Sequence, residues 1–294
     1  MSAAGPEPVR HPRVPLVHLD TVWLQVAGTI CNLRCTHCFI SCSPDNHRHE
    51  MMSLDEVKRV LEEAANLGAR EYYFTGGEPF MNRELLTMLE EALRIGPATV
   101  LTNGLFLDEG VCRTLRRLYD GTDYSLDIRV SLDGWGPDDH DAVRGPGTHR
   151  RAVDGIRALA SAGLNPVVTV TEAARGVAGS EGRLRFLDHL RSLGLTRPRL
   201  KVLPLFRIGA EAGRAGGYRS FERLSEEMVT RTDLERLQCS SGRMVTHRGV
   251  YVCPILLDQP NARMGASLSE TLRPFELAYG ACYTCHVRGV TCAT

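Results

Sequence analysis

The stretch TVWLQVAGTICNLRCTHC, residues 21–38, decides how this chain is read. Its first seven residues, Thr21 to Ala27, are rich in β-branched and aromatic types and contain no glycine or proline, the composition of a strand. Three cysteines follow at once, Cys31, Cys35 and Cys38, in the spacing C-x3-C-x2-C. A strand that runs into such a loop places its sulfurs at the C-terminal edge of a sheet, where α/β folds hold their ligands.

Three thiolates from one short loop can cap one face of a metal centre and leave one coordination position open. Soft thiolates select zinc or an iron–sulfur cluster. From the spacing alone, a zinc loop completed by His37 or Cys42 stands beside the cluster reading.

Outward from this loop the chain alternates strands and helices. Ser53 and Glu56 form a capping-box pair, and Leu54, Val57, Val60, Leu61, Ala64 and Ala65 make one helical face that ends near Gly68. REYYFT is the second strand and Arg83 to Ile95 the second helix; ATVLT and Asp108 to Tyr119 are the third pair. SLDIRVSLD is the fourth strand, followed by a loop rich in Gly, Pro and Asp and a helix from His149 to Ala162. NPVVTVT, a helix from Arg183 to Leu193, and RLKVLPLF complete the set. Six strands alternating with helices predict a parallel sheet, open and doubly wound or an incomplete barrel. RIGAEAGRAGGY, with Gly209, Gly213, Gly216 and Gly217, is the boundary expected before a last helix from Phe221 to Leu237.

The whole chain has 294 residues, 43% of them hydrophobic, enough to bury a large core. Lys+Arg and Asp+Glu both number 35, so no net charge draws the chain to nucleic acid or to an acidic membrane surface. No apolar run is long enough to span a bilayer, and the N-terminus has no signal-peptide apolar region. Pro6, Pro8, Pro12 and Pro15 mark residues 1–20 as an extended, mobile lead-in, and the expected location is cytoplasmic. In a reducing compartment ten cysteines argue for metal and against disulfides. Nine of them fall in two sets, Cys31, Cys35, Cys38 and Cys42, and Cys239, Cys253, Cys282, Cys285 and Cys292; Cys112 alone reads as a small core residue.

The second strand ends in Tyr73-Phe74-Thr75-Gly76-Gly77-Glu78-Pro79, where two glycines allow close approach to the backbone and Glu78 offers a carboxylate to an ammonium group. A C-x3-C-x-aromatic-C loop with a Gly-Gly-Glu-Pro motif one β/α unit later resembles the radical S-adenosylmethionine (SAM) superfamily. His37 stands where that family more often has Tyr, Phe or Trp. The resemblance implies a partial (β/α)6 TIM-type barrel over residues 21–210. It also implies a [4Fe–4S] cluster on Cys31, Cys35 and Cys38, with SAM chelating the fourth iron. Reductive cleavage of SAM would then give a 5′-deoxyadenosyl radical that abstracts hydrogen from substrate. His37 would lie near the adenine, and Gly76, Gly77 and Glu78 near the SAM amino group. Leu101-Thr102-Asn103-Gly104, Val130-Ser131-Leu132-Asp133-Gly134 and Val143-Arg144-Gly145 resemble further segments of the branch with a C-terminal SPASM or twitch extension. The resemblance gives Ser131 the SAM ribose and Arg144 the SAM carboxylate. Asp133 and Asp139 are candidates for ribose or substrate.

Cys239, Cys253, Cys282 and Cys285 also allow a structural zinc by spacing. Beside the radical SAM motif they resemble a cysteine-rich twitch domain, over 211–294, with one auxiliary [4Fe–4S] cluster and Cys292 as reserve ligand. The implied activity is oxidation of a small-molecule or peptide substrate, with a flavodoxin or ferredoxin as electron donor and the auxiliary cluster as acceptor. A non-catalytic zinc-binding interaction module is the alternative. Cys42 reads as a bystander, His47 and His49 as solvated loop residues, Tyr72, Tyr73 and Phe74 as strand packing, and His286 as a neighbour able to tune the auxiliary cluster by hydrogen bonding.

Overall fold

A computed structural model describes residues 10–290. The chain opens with a two-residue strand, β1 (Arg13–Val14), and then β2 (Thr21–Gln25), α1 (Leu54–Asn66), β3 (Glu71–Thr75), α2 (Leu85–Ala92), β4 (Ala98–Thr102), α3 (Glu109–Asp120) and β5 (Leu126–Ser131). Next come α4 (Pro137–Arg144), α5 (Thr148–Ser161), β6 (Val167–Thr171), α6 (Gly179–Ser192), β7 (Arg199–Leu203) and α7 (Ala210–Ala215). The remainder holds α8 (Arg231–Arg236), β8 (Gly242–Thr246), β9 (Gly249–Tyr251), β10 (Arg263–Gly265), β11 (Phe275–Glu276) and α9 (Gly280–Arg288).

Strands β2 to β7 lie side by side in sequence order and parallel, the six strands of a partial TIM-type barrel. Alternation along each strand builds two cores. Val22, Leu24, Tyr72, Phe74, Val100, Ile128, Val130, Val168 and Val170 face outward into the layer of helices. Their neighbours Trp23, Gln25, Tyr73, Arg129, Ser131, Thr169 and Lys201 face the barrel interior. The exclusion of polar types from the outward rows is the apolar burial that closes helices onto the sheet.

The C-terminal region does not stand apart. β8 pairs in parallel with β2, and β9 and β10 extend the sheet antiparallel, giving one nine-stranded sheet in the order β10-β9-β8-β2-β3-β4-β5-β6-β7. Two strands at its ends, β7 and β10, remain unpaired with each other, so the barrel is open.

Several expectations change. Residues 10–20 are tied down: β1 pairs with β11, and Val17 N donates to Ser240 O at 2.8 Å. The rest of the expected lead-in, 1–9, lies outside the described residues. A helix from Pro137 was missed because the Gly/Pro/Asp-rich segment read as loop; Pro137 sits in its first turn, where the missing N–H costs nothing. The helix expected over 221–237 is confined to α8. Thr230 caps α8 through Asp233 N at 3.2 Å, and upstream Leu224 O accepts from the His11 ring at 2.8 Å, so the segment before Thr230 is held by long-range bonds outside a helix. The glycine-rich boundary is no spacer either. Gly209 has a φ of +59° and presses on the cysteine loop, where a Cβ would meet Phe39 O at 2.4 Å.

Candidate functional site

The loop after β2 folds over the C-terminal ends of the strands. Gly28, at a φ of +54°, makes the reversal possible: a Cβ there would lie 2.0 Å from His49 O. Thr29 N donates to His49 O at 2.9 Å and Cys31 N to Ser43 O at 3.2 Å, which ties the two ends of the loop together. His49, expected to be solvated, is buried in this tie, with Nε2 3.3 Å from Asp258 Oδ1; His47 is exposed as expected.

Cys31, Cys35 and Cys38 line a cavity of about 230 Å³ together with His37, Gly76, Gly77, Asn103, Ser131 and Arg144. The loop and strand ends therefore bring together the three cysteines, His37, Gly76, Gly77, Ser131 and Arg144, but not Glu78, Asp133 or Asp139. Glu78 is fully buried and does not line the cavity. Its Oε1 accepts from Thr102 Oγ1 at 2.7 Å and Phe80 N at 3.1 Å, and its Oε2 from Asn103 N at 2.8 Å. Burial pushes its carboxyl up to about 7 against those three donors. Its visible work is to lock the end of β3 to the end of β4. The glycine pair also admits a different neighbour from the one anticipated: a Cβ on Gly77 would meet Ile30 O at 2.0 Å, so the cysteine loop itself is what approaches.

Asp133 organises the other wall. It is fully buried, and its Oδ2 accepts from Arg144 Nε at 2.6 Å and lies 2.9 Å from His37 Nε2. Its Oδ1 accepts from Thr171 N at 2.6 Å and Thr171 Oγ1 at 2.9 Å. Burial opposes its charge, but Arg144 and His37 prevail and hold the carboxyl well below the ordinary range. Asp133 thus orients Arg144 and His37 and is not among the cavity-lining residues; Asp139 is not among them either. His140, buried on α4, accepts from Asp133 N at 3.0 Å through Nδ1, and burial lowers its pKa to about 3.

The thiols are graded. Burial pushes Cys31 up to about 12, whereas hydrogen bonding with Cys42 brings Cys38 down to about 6. Cys42 lies against Cys38, its backbone N donating to Cys38 Sγ at 3.4 Å.

In the second set, Cys239, Cys253, Cys282 and Cys285 line one small hollow whose other members, apart from Gln238, are apolar. Cys282 and Cys285 project from successive turns of α9, and burial pushes Cys282 up to about 12. Cys292 lies outside the described residues, and His286 does not line the hollow. Arg243, buried in β8, donates to Cys239 O at 2.8 Å and to the carbonyls of Gly242, Thr271 and Arg273. Ile255 and Val290 line both the hollow and the 230 Å³ cavity, so the two sites share part of a wall.

Both sulfur sets fit an iron–sulfur cluster by their chemistry, because thiolates are the ligands such clusters take. Around the mouth cavity, Trp23 Nε1, Gln25 Oε1, His37 Nδ1 and Thr169 Oγ1 are buried without a partner in the protein, which fits a polar guest such as SAM.

The sequence profile of the radical SAM superfamily matches residues 26–177, from the cysteine loop past the end of β6. The chain belongs to the radical SAM superfamily. As a radical SAM protein it uses a [4Fe–4S] cluster and SAM, and the residues around the mouth cavity fit both. Curated relatives include GTP 3′,8-cyclase of Pectobacterium atrosepticum, 32% identical over 174 residues, 55% of this chain and 49% of that protein. GTP 3′,8-cyclase of Petrotoga mobilis is 27% identical over 155 residues, 51% and 46% respectively. The chain spans about half the length of the curated relatives it matches. Among solved structures, Streptococcus suis SuiB bound to the precursor peptide SuiA has a TM-score of 0.66 at 13% identity, covering 90% of this chain and 65% of that one. Native anSMEcpe with bound AdoMet has a TM-score of 0.59 at 14% identity, covering 85% and 79%. At such identities the shared property is the fold. Among the described residues no helix is long and apolar enough to cross a membrane.

Proposed function

We propose that this radical SAM enzyme oxidises a small-molecule or peptide substrate by hydrogen abstraction, with one auxiliary [4Fe–4S] cluster taking the electron. One observation carries the reading: the mouth cavity and the four-sulfur hollow share Ile255 and Val290 as a common wall. A substrate held in the mouth would thereby neighbour a one-electron acceptor.

Cys31, Cys35 and Cys38 would hold the first cluster by three irons and leave the fourth to SAM. Together these cofactors supply a 5′-deoxyadenosyl radical that takes a hydrogen atom from substrate. Arg144, aimed by Asp133, would pair with the SAM carboxylate, and Ser131 would hold the ribose. His37 would lie near the adenine and Gly76 and Gly77 near the amino end, while Glu78 fixes the ends of β3 and β4. Leu33, Phe39, Ile40 and Phe206 add apolar surface to the cavity lining and would help keep water from a reactive radical. Cys239, Cys253, Cys282 and Cys285 would complete the auxiliary cluster. Four protein sulfurs leave that cluster no vacant iron, which favours electron transfer over substrate chelation. A flavodoxin or ferredoxin would donate the starting electron.

The relatives named GTP 3′,8-cyclase support a second reading, bond formation on a purine nucleotide. Anaerobic reconstitution separates the readings. The proposal expects about eight irons per chain, SAM-dependent change in the cluster spectrum, and reductive formation of 5′-deoxyadenosine. Deuterium transfer into deoxyadenosine from GTP alone would favour the cyclase; transfer from an alcohol or peptide carbon would favour oxidation. Absence of a SAM-responsive cluster would refute both.

A further inference from the structure

The loop between β2 and α1 carries a fourth cysteine that the reading above leaves unused. Cys42 is buried and lines the mouth cavity with Cys31, Cys35 and Cys38. Each of those three sulfurs faces an N–H donor of the protein. Asn103 Nδ2 lies 4.0 Å from Cys31 Sγ and Arg144 Nη1 4.0 Å from Cys35 Sγ, whereas the backbone N of Cys42 donates to Cys38 Sγ at 3.4 Å. The first two donors are side chains with closer partners, Asn32 Oδ1 at 2.8 Å and Asp133 Oδ2 at 2.6 Å. The third is a backbone group aimed by its own turn.

That turn is strained. Ser41 has a φ of +59°. Glycine enters this left-handed region freely and asparagine with some ease, but serine rarely does. Among the described residues the one other non-glycine residue with a positive φ is Asn261. Local bonds hold Ser41 in place: its N donates to Cys38 O at 3.2 Å, and its O accepts from Asn46 Nδ2 at 2.9 Å. Just beyond, Ser43 forms a bridge with Ile30, and its N donates to Thr29 O at 3.2 Å. Cys38 O also accepts from Ala210 N at 2.9 Å. The backbone of Cys38 is thus pinned from two sides, and the reversal at Ser41 turns the amide of Cys42 back onto its sulfur. Strained residues persist where their surroundings over-determine them, and they cluster at functional sites.

We infer that Ser41 and Cys42 are positioning residues for the cluster at the mouth: their turn fixes the sulfur of Cys38 and gives it a hydrogen-bond donor that raises the potential of that cluster. The inference rests on the assignment of Cys31, Cys35 and Cys38 as the cluster ligands, and it makes Cys42 the support of a ligand, not a fourth ligand. The physical reason is charge. Reduction adds an electron, and part of its charge falls on the ligand sulfurs. An N–H dipole aimed at one of those sulfurs stabilises the reduced state more than the oxidised one. With the donor in place, the cluster takes its starting electron from a less strongly reducing partner.

The test is a redox titration of the anaerobically reconstituted chain, in which electron paramagnetic resonance follows the SAM-responsive signal. Ser41→Val puts a β-branched residue into the left-handed region, so the turn should open. At a fixed potential its mouth cluster should be less reduced than the parent's by roughly threefold or more. Ser41→Gly takes up the same φ without strain and should keep the parent's potential. Asn46→Ala removes the bond to Ser41 O and should shift the potential the same way by a smaller amount; it decides the matter if Ser41→Val does not fold. Cys42→Ala keeps the amide and should keep the parent's iron content. A parental potential in Ser41→Val, or in Asn46→Ala where that variant decides, overturns the inference, as does an equal shift in the auxiliary cluster. Iron loss in Cys42→Ala as large as in Cys38→Ala makes Cys42 a ligand and overturns it too. Retention of a SAM-responsive cluster by Cys38→Ala is a different failure: it overturns the ligand assignment, and the role of the turn with it.

Discussion

The two sulfur sites make a useful contrast. At the barrel mouth Cys31, Cys35, Cys38 and Cys42 share a cavity with the half-buried Arg144 and several unpartnered polar atoms. Below it, four cysteines close on an apolar hollow with one polar side chain, Gln238, in its lining. The mouth has as many sulfurs in its lining but much more polarity, which suits a charged guest. The hollow offers a charged guest little beyond its sulfurs. Their thiols share the effect of burial, since Cys31 and Cys282 are each pushed up to about 12. Their cations differ: Arg144 has a carboxylate partner, whereas Arg243 donates to backbone carbonyls of Cys239, Gly242, Thr271 and Arg273.

The sharpest way to break this contrast is to remove one sulfur from each site. Cys35→Ala should lose about four of eight irons and all deoxyadenosine formation. Cys253→Ala should lose as much iron yet keep a SAM-responsive spectrum. Iron analysis with product chromatography distinguishes them, and equal loss of SAM response would erase the division of labour.

Asp133→Asn should come next. It strips the charge from a buried pair with Arg144, a loss of about 3–5 kcal/mol in stability, read by urea unfolding of the apoprotein. SAM affinity should fall with it, because Arg144 and His37 lose their common anchor. Unchanged stability would remove Asp133 as the organiser of the mouth.

In the hollow, Arg243→Met should cost roughly 2–3 kcal/mol, because carbonyls of Cys239 and Thr271 lose their donor. It should also lower the midpoint potential of the auxiliary cluster alone, since a nearby positive charge is removed. A redox titration that shows both clusters shifted equally, or neither, would deny Arg243 its place in the second site.

The smallest effect concerns pH. His140 protonates at about 3 in the folded chain because it is buried, whereas the unfolded residue protonates near its ordinary value of 6.5. Between those values the unfolded state binds the extra proton, so stability falls as pH drops. The contribution lost between pH 7.5 and pH 5 is about 2 kcal/mol. His140→Gln should flatten that part of the stability–pH curve; an unchanged slope would show that His140 does not carry it.

Much of the barrel was legible because its determinants are local. Six strand segments, the Ser53 cap and the helices after β2, β3, β4 and β6 follow from periodicity and capping within short windows. The cysteine loop and the glycine pair were legible for the same reason. What escaped was set at long range. Asp133 reads as one acid among several until β6 brings Thr171 to it and α4 brings Arg144. The segment 221–229 has helical composition, yet bonds to residues 10 and 11 hold it in another shape.

The sequence by itself determined that Cys31, Cys35 and Cys38 would sit on a loop at the end of a parallel strand, because spacing and hydrophobic alternation are properties of neighbouring residues. Only the tertiary structure decided that β8 joins the barrel sheet beside β2 and that the two sulfur sites share Ile255 and Val290. Those facts depend on strand order and register, which arise when distant segments compete to bury the same apolar face.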